Sequence, residues 1–466
     1  MPYSRISKKY LKPRWPFLKQ DAKGTLHVDG VSIKTLAEKY GTPLYVLVES
    51  EIRNRVRRFK NAFPYQKFRP QYASKCNSNL EILRIMREEG MDIDASSVGE
   101  IILALLADFE PREITFTNLH KTDQDIMFAA KVGVQAITVD STEELARVAK
   151  VAQKMRTRIR VFIRVNPLIQ YGKYTSKHQQ YGIANSSVKK AIRMAKEARY
   201  VDLIGLHFHG SYISDPKVYE VAAHKIIKHA VYCKSLGIRI RYIDLGGGFP
   251  YQYNDTEVFQ PEEMGKRFVK KFEEMIKKAD LHPPTLIFEP GKFMVANAGI
   301  GLVRVISKKK RPKKTMMIVD GSTYAFLPDA MIYKQYYEVL PATKMTTRRT
   351  KEYTIAGCTC DCIDILARNR WLPTLEAGDL LTFMDCGAYS TVMASNFNTL
   401  KRPAAVMVKE NGTIKMIRRR DRYSEMFAPE LDVLKVADPR ELKKFYDLTR
   451  INIDKLWNGR KKTIGK

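Results

Sequence analysis

The amino-acid sequence predicts an α/β protein, a parallel (β/α)8 barrel of the TIM type with a C-terminal antiparallel β domain that the N-terminal segment joins. Eight short β-rich runs alternate with segments whose apolar residues recur at helical spacing, and this alternation is typical of such a barrel. Residues able to do chemistry follow several of the runs, at the strand ends where barrel enzymes place their sites. Beyond about Gly299 the pattern changes, and turns join the β-rich runs.

The eight predicted barrel strands show two spacings. The first five begin about 22 residues apart and the later ones about 40 residues apart. Between them, residues 80–86 and 218–227 place apolar side chains at helical intervals. The predicted strands are Gln71–Lys75, Asp92–Ser96, Ile114–Asn118, Ala136–Ser141, Ile159–Asn166, Leu203–His209, Tyr242–Gly247 and Thr285–Glu289.

These patterns set the predicted domain boundaries. Residues 46–300 form the barrel and residues 301–430 form the β domain. Residues 1–45 contain a hairpin-like stretch and are expected to pack with the β domain, whereas residues 431–466 are predicted to form a basic helical tail. The strands predicted for the β domain are Met316–Val319, Tyr353–Ala356, Leu380–Met384 and Ala404–Lys409.

The net charge is strongly positive. The 466 residues carry 81 lysines and arginines against 50 aspartates and glutamates, a formal charge of +31. Part of the excess lies in runs such as Lys308–Lys314, and its field alone favours nonspecific contact with polyanions. No zinc-finger, RRM or KH signature accompanies the charge, so a solvated basic surface is the preferred interpretation and a nucleic-acid binder is the alternative.

The apolar runs and the cysteines limit the class of protein. No apolar run is long enough to span a bilayer, and the N-terminus lacks an apolar core like that of a signal peptide, so a cytoplasmic protein without membrane contact is expected. Six cysteines in so long a chain do not make a disulfide scaffold. Cys358, Cys360 and Cys362 alternate and would share one face of a strand, but zinc sites usually use paired C-x2-C units, and no metal site is predicted.

Three motifs at the ends of predicted barrel strands carry chemistry. Lys75 ends the first strand, where an amine can attack a carbonyl carbon. The run Gly246-Gly247-Gly248 has no side chains, so its amides can approach a phosphate closely, although three glycines also form plain turns. Glu289 ends the last strand, where a carboxylate can serve a site or simply cap a helix.

The order of the motifs resembles that of a known enzyme family, the fold-type III decarboxylases that use pyridoxal 5'-phosphate (PLP). This group contains the diaminopimelate and ornithine decarboxylases, and the resemblance is closest to the former. It runs from about Gly30 to about Met426. The motifs are Tyr72-Ala73-Ser74-Lys75-Cys76-Asn77, His207-Phe208-His209-Gly210-Ser211, Asp244-Leu245-Gly246-Gly247-Gly248-Phe249, Glu289-Pro290-Gly291-Lys292, Cys358-Thr359-Cys360-Asp361-Cys362-Ile363-Asp364 and Gly387-Ala388-Tyr389.

The resemblance implies a PLP site inside the barrel. Lys75 would hold the aldehyde of PLP, His209 would stack on its ring, and Glu289 would pair with the pyridine nitrogen. Asp94 and Glu100 match family positions and would support these groups. The phosphate would be held by Ser211, Gly246, Gly247, Gly248, Gly291 and Tyr389.

The resemblance also implies a homodimer with shared active sites. Cys360 would come from the neighbouring subunit and return a proton to the decarboxylated product, although a single cysteine more often packs inertly. Asp361, Tyr333, Lys292 and Tyr389 would bind the small amino-acid substrate. A monomer would then have no complete site.

Some residues depart from the diaminopimelate pattern. Asp361 stands where those enzymes usually carry glutamate, Lys292 stands where they carry arginine, and no arginine occurs between Arg311 and Arg348. Arginine grips a carboxylate through two parallel bonds, which lysine does not copy. The expected reaction is nevertheless decarboxylation of meso-diaminopimelate to L-lysine, because other segments resemble that branch. The alternatives are decarboxylases of lysine, ornithine or arginine, of either hand, or of carboxynorspermidine.

Two further classes compete with a decarboxylase. A PLP racemase of the alanine racemase type shares the barrel but has no use for the Cys360-Asp361 pair. A catalytically inactive homologue that regulates a partner would be expected to lose Lys75 or the phosphate contacts, and these residues are all present.

Overall fold

The computed structural model describes residues 14–437, apart from residues 173, 176–179 and 313. The chain divides into two compact units, named here the barrel unit and the sheet unit. The predicted basic tail lies outside the described residues from residue 438 onward. The barrel unit comprises Val48–Gly299 and Gly387–Val392, and the sheet unit comprises Met1–Leu47, Ile300–Cys386 and Met393–Lys466.

Eight parallel strands form the barrel, side by side in their order along the chain. The ring of strands closes where the first and eighth strands and their flanking residues meet, through the Phe68–Leu286 bridge and a hydrogen bond of 2.8 Å from the Gln71 amide to the Phe288 carbonyl. The predicted (β/α)8 fold class is confirmed. The strands, numbered first to eighth, are Gln71–Ala73, Asp92–Ala95, Ile114–Thr117, Ala136–Val139, Ile159–Asn166, Val201–His207, Tyr242–Asp244 and Thr285–Ile287.

Four helices of the barrel unit begin at a polar side chain that caps them. Asn79, Ser97, Thr122 and Ser141 each accept a hydrogen bond from an amide two or three residues later. Such a cap stabilises a helix by about 1 kcal/mol. The helices are Glu49–Ala62, Leu80–Glu88, Val98–Leu106, Asp123–Val132, Thr142–Met155, Val188–Glu197, Lys217–Ser235, Pro261–Lys278 and Lys292–Val295, with 3-10 turns Ser74–Cys76 and Pro111–Glu113 and short strands Gln170–Tyr171, Tyr174–Thr175 and Ile183–Ala184.

Several barrel strands end earlier than predicted. The first ends at Ala73 rather than Lys75, and the seventh ends at Asp244 rather than Gly247. In the seventh strand the Asp244 side chain accepts a hydrogen bond of 2.8 Å from the Gly246 amide, so a local turn replaces the ladder. Lys75, Gly246, Gly247 and Glu289 therefore lie just beyond the ends of strands predicted to include them.

The sheet unit contains a nine-stranded sheet in which antiparallel pairs predominate. One pair, Lys314–Val319 with Lys351–Ala356, is parallel and makes the sheet mixed. Residues 320–350 are long enough for the crossover that a parallel pair requires. The remaining strands are Leu18–Gln20, Leu26–Val28, Val31–Ser32, Leu44–Val48, Gly299–Arg311, Val339–Pro341, Ile365–Leu372, Leu380–Phe383, Ala404–Val408 and Ile414–Arg418, and the helices are Ile33–Tyr40, Pro328–Ile332, Phe397–Thr399, Tyr423–Met426 and Ala428–Ala437.

The cysteine-rich segment does not form a strand. Cys358, Cys360 and Cys362 lie in the loop between the strands Lys351–Ala356 and Ile365–Leu372, so the strand face considered for a zinc site does not exist. None of the six cysteines, all of which lie among the described residues, forms a disulfide. Among the described residues, every helix is too short or too polar to cross a bilayer.

Candidate active site

Lys75 lies in the 3-10 turn that follows the first barrel strand. Its Nζ atom is 3.2 Å from Oδ2 of Asp94, a fully buried residue in the second strand. Ser74 fixes the turn, because its hydroxyl lies 2.9 Å from the Asp94 carbonyl oxygen and 2.7 Å from the Glu100 carboxylate. The amine is therefore held at the C-terminal end of the barrel.

Two opposing effects set the charge on Lys75. Burial lowers the pKa of its ammonium group, but the carboxylates of Asp94 and Glu289 outweigh burial and raise this pKa above its ordinary value. Burial, assisted by the charge of Glu289, raises the pKa of Asp94 to about 7. An amine must lose its proton before it attacks a carbonyl, and Asp94 lies within hydrogen-bond distance to accept that proton.

Glu289 is buried between two nearly parallel histidine rings. Its Oε1 is 3.1 Å from Nε2 of His207, and its Oε2 is 3.3 Å from Nδ1 of His209. Burial raises the pKa of Glu289, but the two histidines outweigh burial and lower it well below its ordinary value. Burial lowers the pKa of both histidines, that of His209 to about 4. Neutral histidines thus flank an ionised carboxylate.

Asp244 lies beside this cluster and is fully buried. Burial, together with the charge of Glu289, raises the pKa of Asp244 well above its ordinary value, which favours the protonated form of this carboxyl. His207, Asp244 and Glu289 bring their ligand atoms within 4.8 Å of one another, the only such group in the described part of the chain. Within this group, Nε2 of His207 and Oε1 of Glu289 already make a hydrogen bond with each other.

Close backbone packing explains the three consecutive glycines. A Cβ atom at Gly246 would lie 2.3 Å from the Phe208 carbonyl oxygen, and one at Gly247 would lie 2.6 Å from that of Glu289. The Gly246 amide donates to Asp244 and the Gly247 amide donates to Nδ1 of His209 (3.2 Å). The Gly248 amide makes no hydrogen bond with a described residue, so it is the amide of the three that is available to a phosphate.

We expect Gly248→Ala to lower the free energy of unfolding by about 2 kcal/mol or more. The added Cβ would lie 2.2 Å from the Ser211 carbonyl oxygen, and φ is +105°, where side chains are strained. Denaturant unfolding measures the loss. Gly237→Ala is the control, since φ is +75° but no atom lies within 4 Å of its added Cβ. Equal losses in the two variants would contradict the steric explanation.

His209 makes the stability of the protein depend on pH. Its folded-state pKa of about 4 lies below the unfolded value near 6.5, so its stabilising contribution falls as the pH drops below about 6.5. We expect the wild type to lose about 2 kcal/mol relative to His209→Gln between pH 7 and pH 5. Denaturant unfolding of both proteins, free of any ligand, at the two pH values tests this, and a difference that does not change with pH would refute it.

Ser211, Gly291 and Tyr389 also belong to the barrel unit. The Ser211 residue has φ of +55°, and its hydroxyl makes no hydrogen bond with a described residue. A Cβ at Gly291 would lie 3.0 Å from Cβ of Cys76. The Tyr389 amide donates to the Cys76 carbonyl (2.8 Å), which ties its segment to the turn after the first strand.

Lys292 lies among tyrosine rings of the same unit. Its Nζ atom is 5.5 Å from the ring centroids of Tyr253 and Tyr389 and 6.0 Å from that of Tyr212. Ring faces attract an ammonium group, so they help to hold this one in place. Lys292 can therefore offer one positive charge to a carboxylate.

Cys360, Asp361 and Tyr333 lie in the sheet unit and not in the unit that contains Lys75. The Cys360 thiol is exposed, with Sγ 3.5 Å from Oδ1 of Asn398. Hydrogen bonds from the Tyr324 hydroxyl and then from the Ile363 amide lower the pKa of Asp361. Tyr333 is 58% exposed.

A buried carboxylate anchors the loop that carries Cys360. Asp364 accepts hydrogen bonds from the amide (2.7 Å) and hydroxyl (3.0 Å) of Thr323 and from the amide (3.0 Å) and hydroxyl (2.7 Å) of Thr359. Four donors on one buried carboxylate fix the loop, while the Cys360 thiol remains exposed to solvent.

Reasoning from the sequence missed groups that support the site. The Tyr219 hydroxyl donates to the Gly247 carbonyl (3.0 Å), and Arg164 pairs with Asp140 at 3.1 Å in a buried contact. The sequence does hint at the pair of Arg164 and Asp140, because an arginine in the otherwise apolar strand Ile159–Asn166 needs a partner. Nothing in the sequence hints at Tyr219, since it lies among apolar residues of a long helix.

The residues present fit PLP. The cofactor needs an amine for its aldehyde, donors for its phosphate and an acid near its ring nitrogen. The barrel unit supplies the Lys75 amine, the available Ser211 hydroxyl and Gly248 amide, and the buried Glu289 carboxylate. The buried Oδ1 of Asp94 and Oδ2 of Asp244 have no partner among the described residues, so two carboxyl oxygens in the barrel remain available for hydrogen bonds to a ligand.

Comparisons with known proteins agree with this chemistry. Residues 49–296 match the pyridoxal binding domain of the pyridoxal-dependent decarboxylases. The diaminopimelate decarboxylase of Methanothermobacter thermautotrophicus is 34% identical over 422 residues, 88% of this chain and 97% of that protein. The Pseudomonas aeruginosa enzyme of the same name is 33% identical over 411 residues, 87% of this chain and 96% of that protein.

A solved structure shows the same fold. The diaminopimelate decarboxylase of Methanocaldococcus jannaschii in complex with L-lysine superposes with a TM-score of 0.84 and 30% identity, over 91% of this chain and 98% of that one. The family match spans more than half of the chain and includes every barrel strand. The chain therefore belongs to the pyridoxal-dependent decarboxylase family.

Proposed function

We propose that this protein decarboxylates meso-diaminopimelate to L-lysine and CO2 with PLP. One observation carries the proposal: the Lys75 amine, its partner Asp94 and the buried Glu289 carboxylate converge in the barrel unit, and 88% of the chain aligns with a diaminopimelate decarboxylase. We assign the PLP-binding domain to residues 46–300 and the β domain to residues 301–430.

The barrel residues would divide the work as follows. When bound, PLP supplies an electron-poor ring that accepts the electron pair released with CO2. Lys75 would hold the aldehyde through its amine, and Asp94 would orient that amine through their hydrogen bond. Glu289 supplies the negative charge that favours a protonated ring nitrogen, while His207 keeps that carboxylate in place.

Donors from several loops would hold the cofactor. The phosphate group is assigned to Ser211, Gly248 and Gly291, with Tyr389 and the neighbouring Gly246 and Gly247 shaping the cradle. His209 is assigned to the ring face, because its imidazole lies against both Glu289 and the Gly247 amide. Neutral imidazole can stack on the ring without adding charge.

We further propose a homodimer in which Cys360 acts in the site of the second copy. The thiol is exposed on an anchored loop, so it is free to meet another chain, and a proton delivered there would complete the product. No described cysteine forms a disulfide, which suits a reducing compartment, and we place the reaction in the cytoplasm.

We expect Cys360→Ala to keep PLP and to lower kcat about a hundredfold, as loss of a general acid does. Mixing tests the shared site. When Cys360→Ala is coexpressed with Lys75→Ala, the mixture should regain about one quarter of the wild-type rate. Half of the dimers are then mixed, and each mixed dimer has one intact site. Cys358→Ala is the matched control and should change little. No recovery on mixing would refute the shared site.

The substrate's distal group would meet Lys292, Asp361 and Tyr333. A lysine held among tyrosine rings provides one positive charge for a distal carboxylate. A second candidate, decarboxylation of lysine or ornithine, is favoured by the ionised Asp361, which suits a distal ammonium group. The lysine/ornithine decarboxylase of Vibrio vulnificus superposes with a TM-score of 0.70 and 25% identity, over 81% of this chain and 97% of that one.

The test is CO2 release by the PLP-loaded protein on a panel of amino acids. The panel holds meso-diaminopimelate, both enantiomers of lysine and of ornithine, arginine and carboxynorspermidine. Turnover of diaminopimelate alone supports the proposal, and Lys292→Met should then raise its KM more than it lowers kcat. If the protein turned over a substrate without a distal carboxylate and did not turn over diaminopimelate, the second candidate would replace the proposal.

A further inference from the structure

A second concave site lies at the opposite end of the barrel from Lys75. It is a cleft of about 290 Å³ at the N-terminal ends of the third to sixth strands. Its lining residues come mainly from helix Asp123–Val132, the loop after it and residues 157–160. The cleft lies wholly within the barrel unit.

The charges that line the cleft are unbalanced. Three guanidinium groups, those of Arg112, Arg158 and Arg160, face a single carboxylate, that of Asp202. Asp202 is already paired with Arg241 at 2.7 Å. Exposed Arg112 and Arg158 make neither a hydrogen bond nor an ion pair with a described residue. At least two positive charges in the cleft therefore lack a counterion among the described residues.

The third arginine is fixed in position. Nη2 of Arg160 donates to the Gly133 carbonyl oxygen at 3.1 Å and also to that of Val134. The other guanidinium nitrogens of Arg160 have no partner among the described residues. Such a guanidinium loses less conformational entropy when it binds an anion, and its planar fork suits phosphate oxygens.

The floor of the cleft is apolar. Ile137, Ile159 and Val134 are buried, and Ala129 lies beside them. Small residues leave the space open, since a Cβ at Gly133 would meet no atom within 4 Å. A volume of about 290 Å³ lies at the lower end of the range for small-molecule sites. The cleft thus combines a basic rim with a small apolar floor.

We propose that this cleft binds a small phosphate monoester, with its phosphate on Arg112, Arg158 and Arg160 and its uncharged body on the apolar floor. A phosphate dianion matches the unbalanced charge better than a monocarboxylate does. The site does not depend on the proposed decarboxylation, because no residue of the Lys75 site lines it.

Calorimetric titration of the PLP-loaded protein with AMP tests the site, since bound PLP already fills the phosphate cradle of the barrel mouth. We expect saturable binding of one AMP per chain, weakened at least tenfold in Arg112→Gln/Arg158→Gln. The control Arg87→Gln/Lys190→Gln removes the same charge from exposed positions elsewhere on the barrel unit and should bind AMP like the wild type. Ala130→Leu fills the cleft without changing the charge and should also weaken binding.

Several outcomes would overturn the proposal. One is the absence of saturable AMP binding to the wild type. Equal losses in the two double variants would assign binding to the overall charge of +31. If adenosine bound as tightly as AMP, the arginines would not contribute to the binding of AMP. If inorganic phosphate bound as tightly as AMP, the apolar floor would not contribute to it.

Discussion

Lys75→Ala should abolish both the visible absorbance of lysine-bound PLP and the release of CO2, with a loss in kcat of at least a thousandfold, about 4 kcal/mol. Alanine has no amine, so the protein has no group at this position to hold and release the aldehyde. Lys75→Arg should fail as badly, because a guanidinium keeps the charge beside Asp94 but does not lose its proton.

The absorbance spectrum and the CO2 assay are measured on the same preparations. Lys225→Ala is the matched control: this lysine is also half-buried in the barrel unit, but its Nζ donates to the Pro167 carbonyl (2.8 Å). It should keep the spectrum and stay within about twofold of the wild-type rate. Lys75→Ala that turned over at the wild-type rate would end the assignment of Lys75.

The barrel could be predicted because its signals are local. Strands such as Ile159–Asn166, predicted and observed with the same bounds, carry their apolar pattern in a few consecutive residues. The place of Lys75 at a strand end follows from the same pattern. The mixed sheet could not be predicted, because the pairing of Lys314–Val319 with Lys351–Ala356 depends on a crossover that no local pattern records.

The electrostatics of the site were also beyond prediction. Asp94 matches a family position, but only the folded chain shows its carboxylate 3.2 Å from the Lys75 amine. The raised pKa of Asp244 depends on burial near Glu289, which residue types alone do not reveal. Likewise, two of the three glycine amides are used inside the protein, so fewer donors remain for a phosphate than the run of glycines indicates.

Glu289→Gln should keep PLP on Lys75 but lower kcat at least a hundredfold, about 2.7 kcal/mol. Glutamine preserves the shape of the side chain and one oxygen acceptor for Nε2 of His207, so the fold should survive. It removes the negative charge that favours a protonated ring nitrogen, and a neutral ring accepts electrons less readily. The loss should therefore fall on kcat rather than on KM.

Steady-state CO2 release gives kcat and KM, and the visible spectrum reports whether PLP stays bound. Asp92→Asn is the control, because Asp92 is another buried barrel carboxylate, paired with Arg69 at the start of the second strand and not with the site. It should change stability more than turnover. If Glu289→Gln retained more than about a tenth of the wild-type kcat with PLP bound, the carboxylate would not tune the ring. Its burial between two neutral histidines would then serve the fold alone.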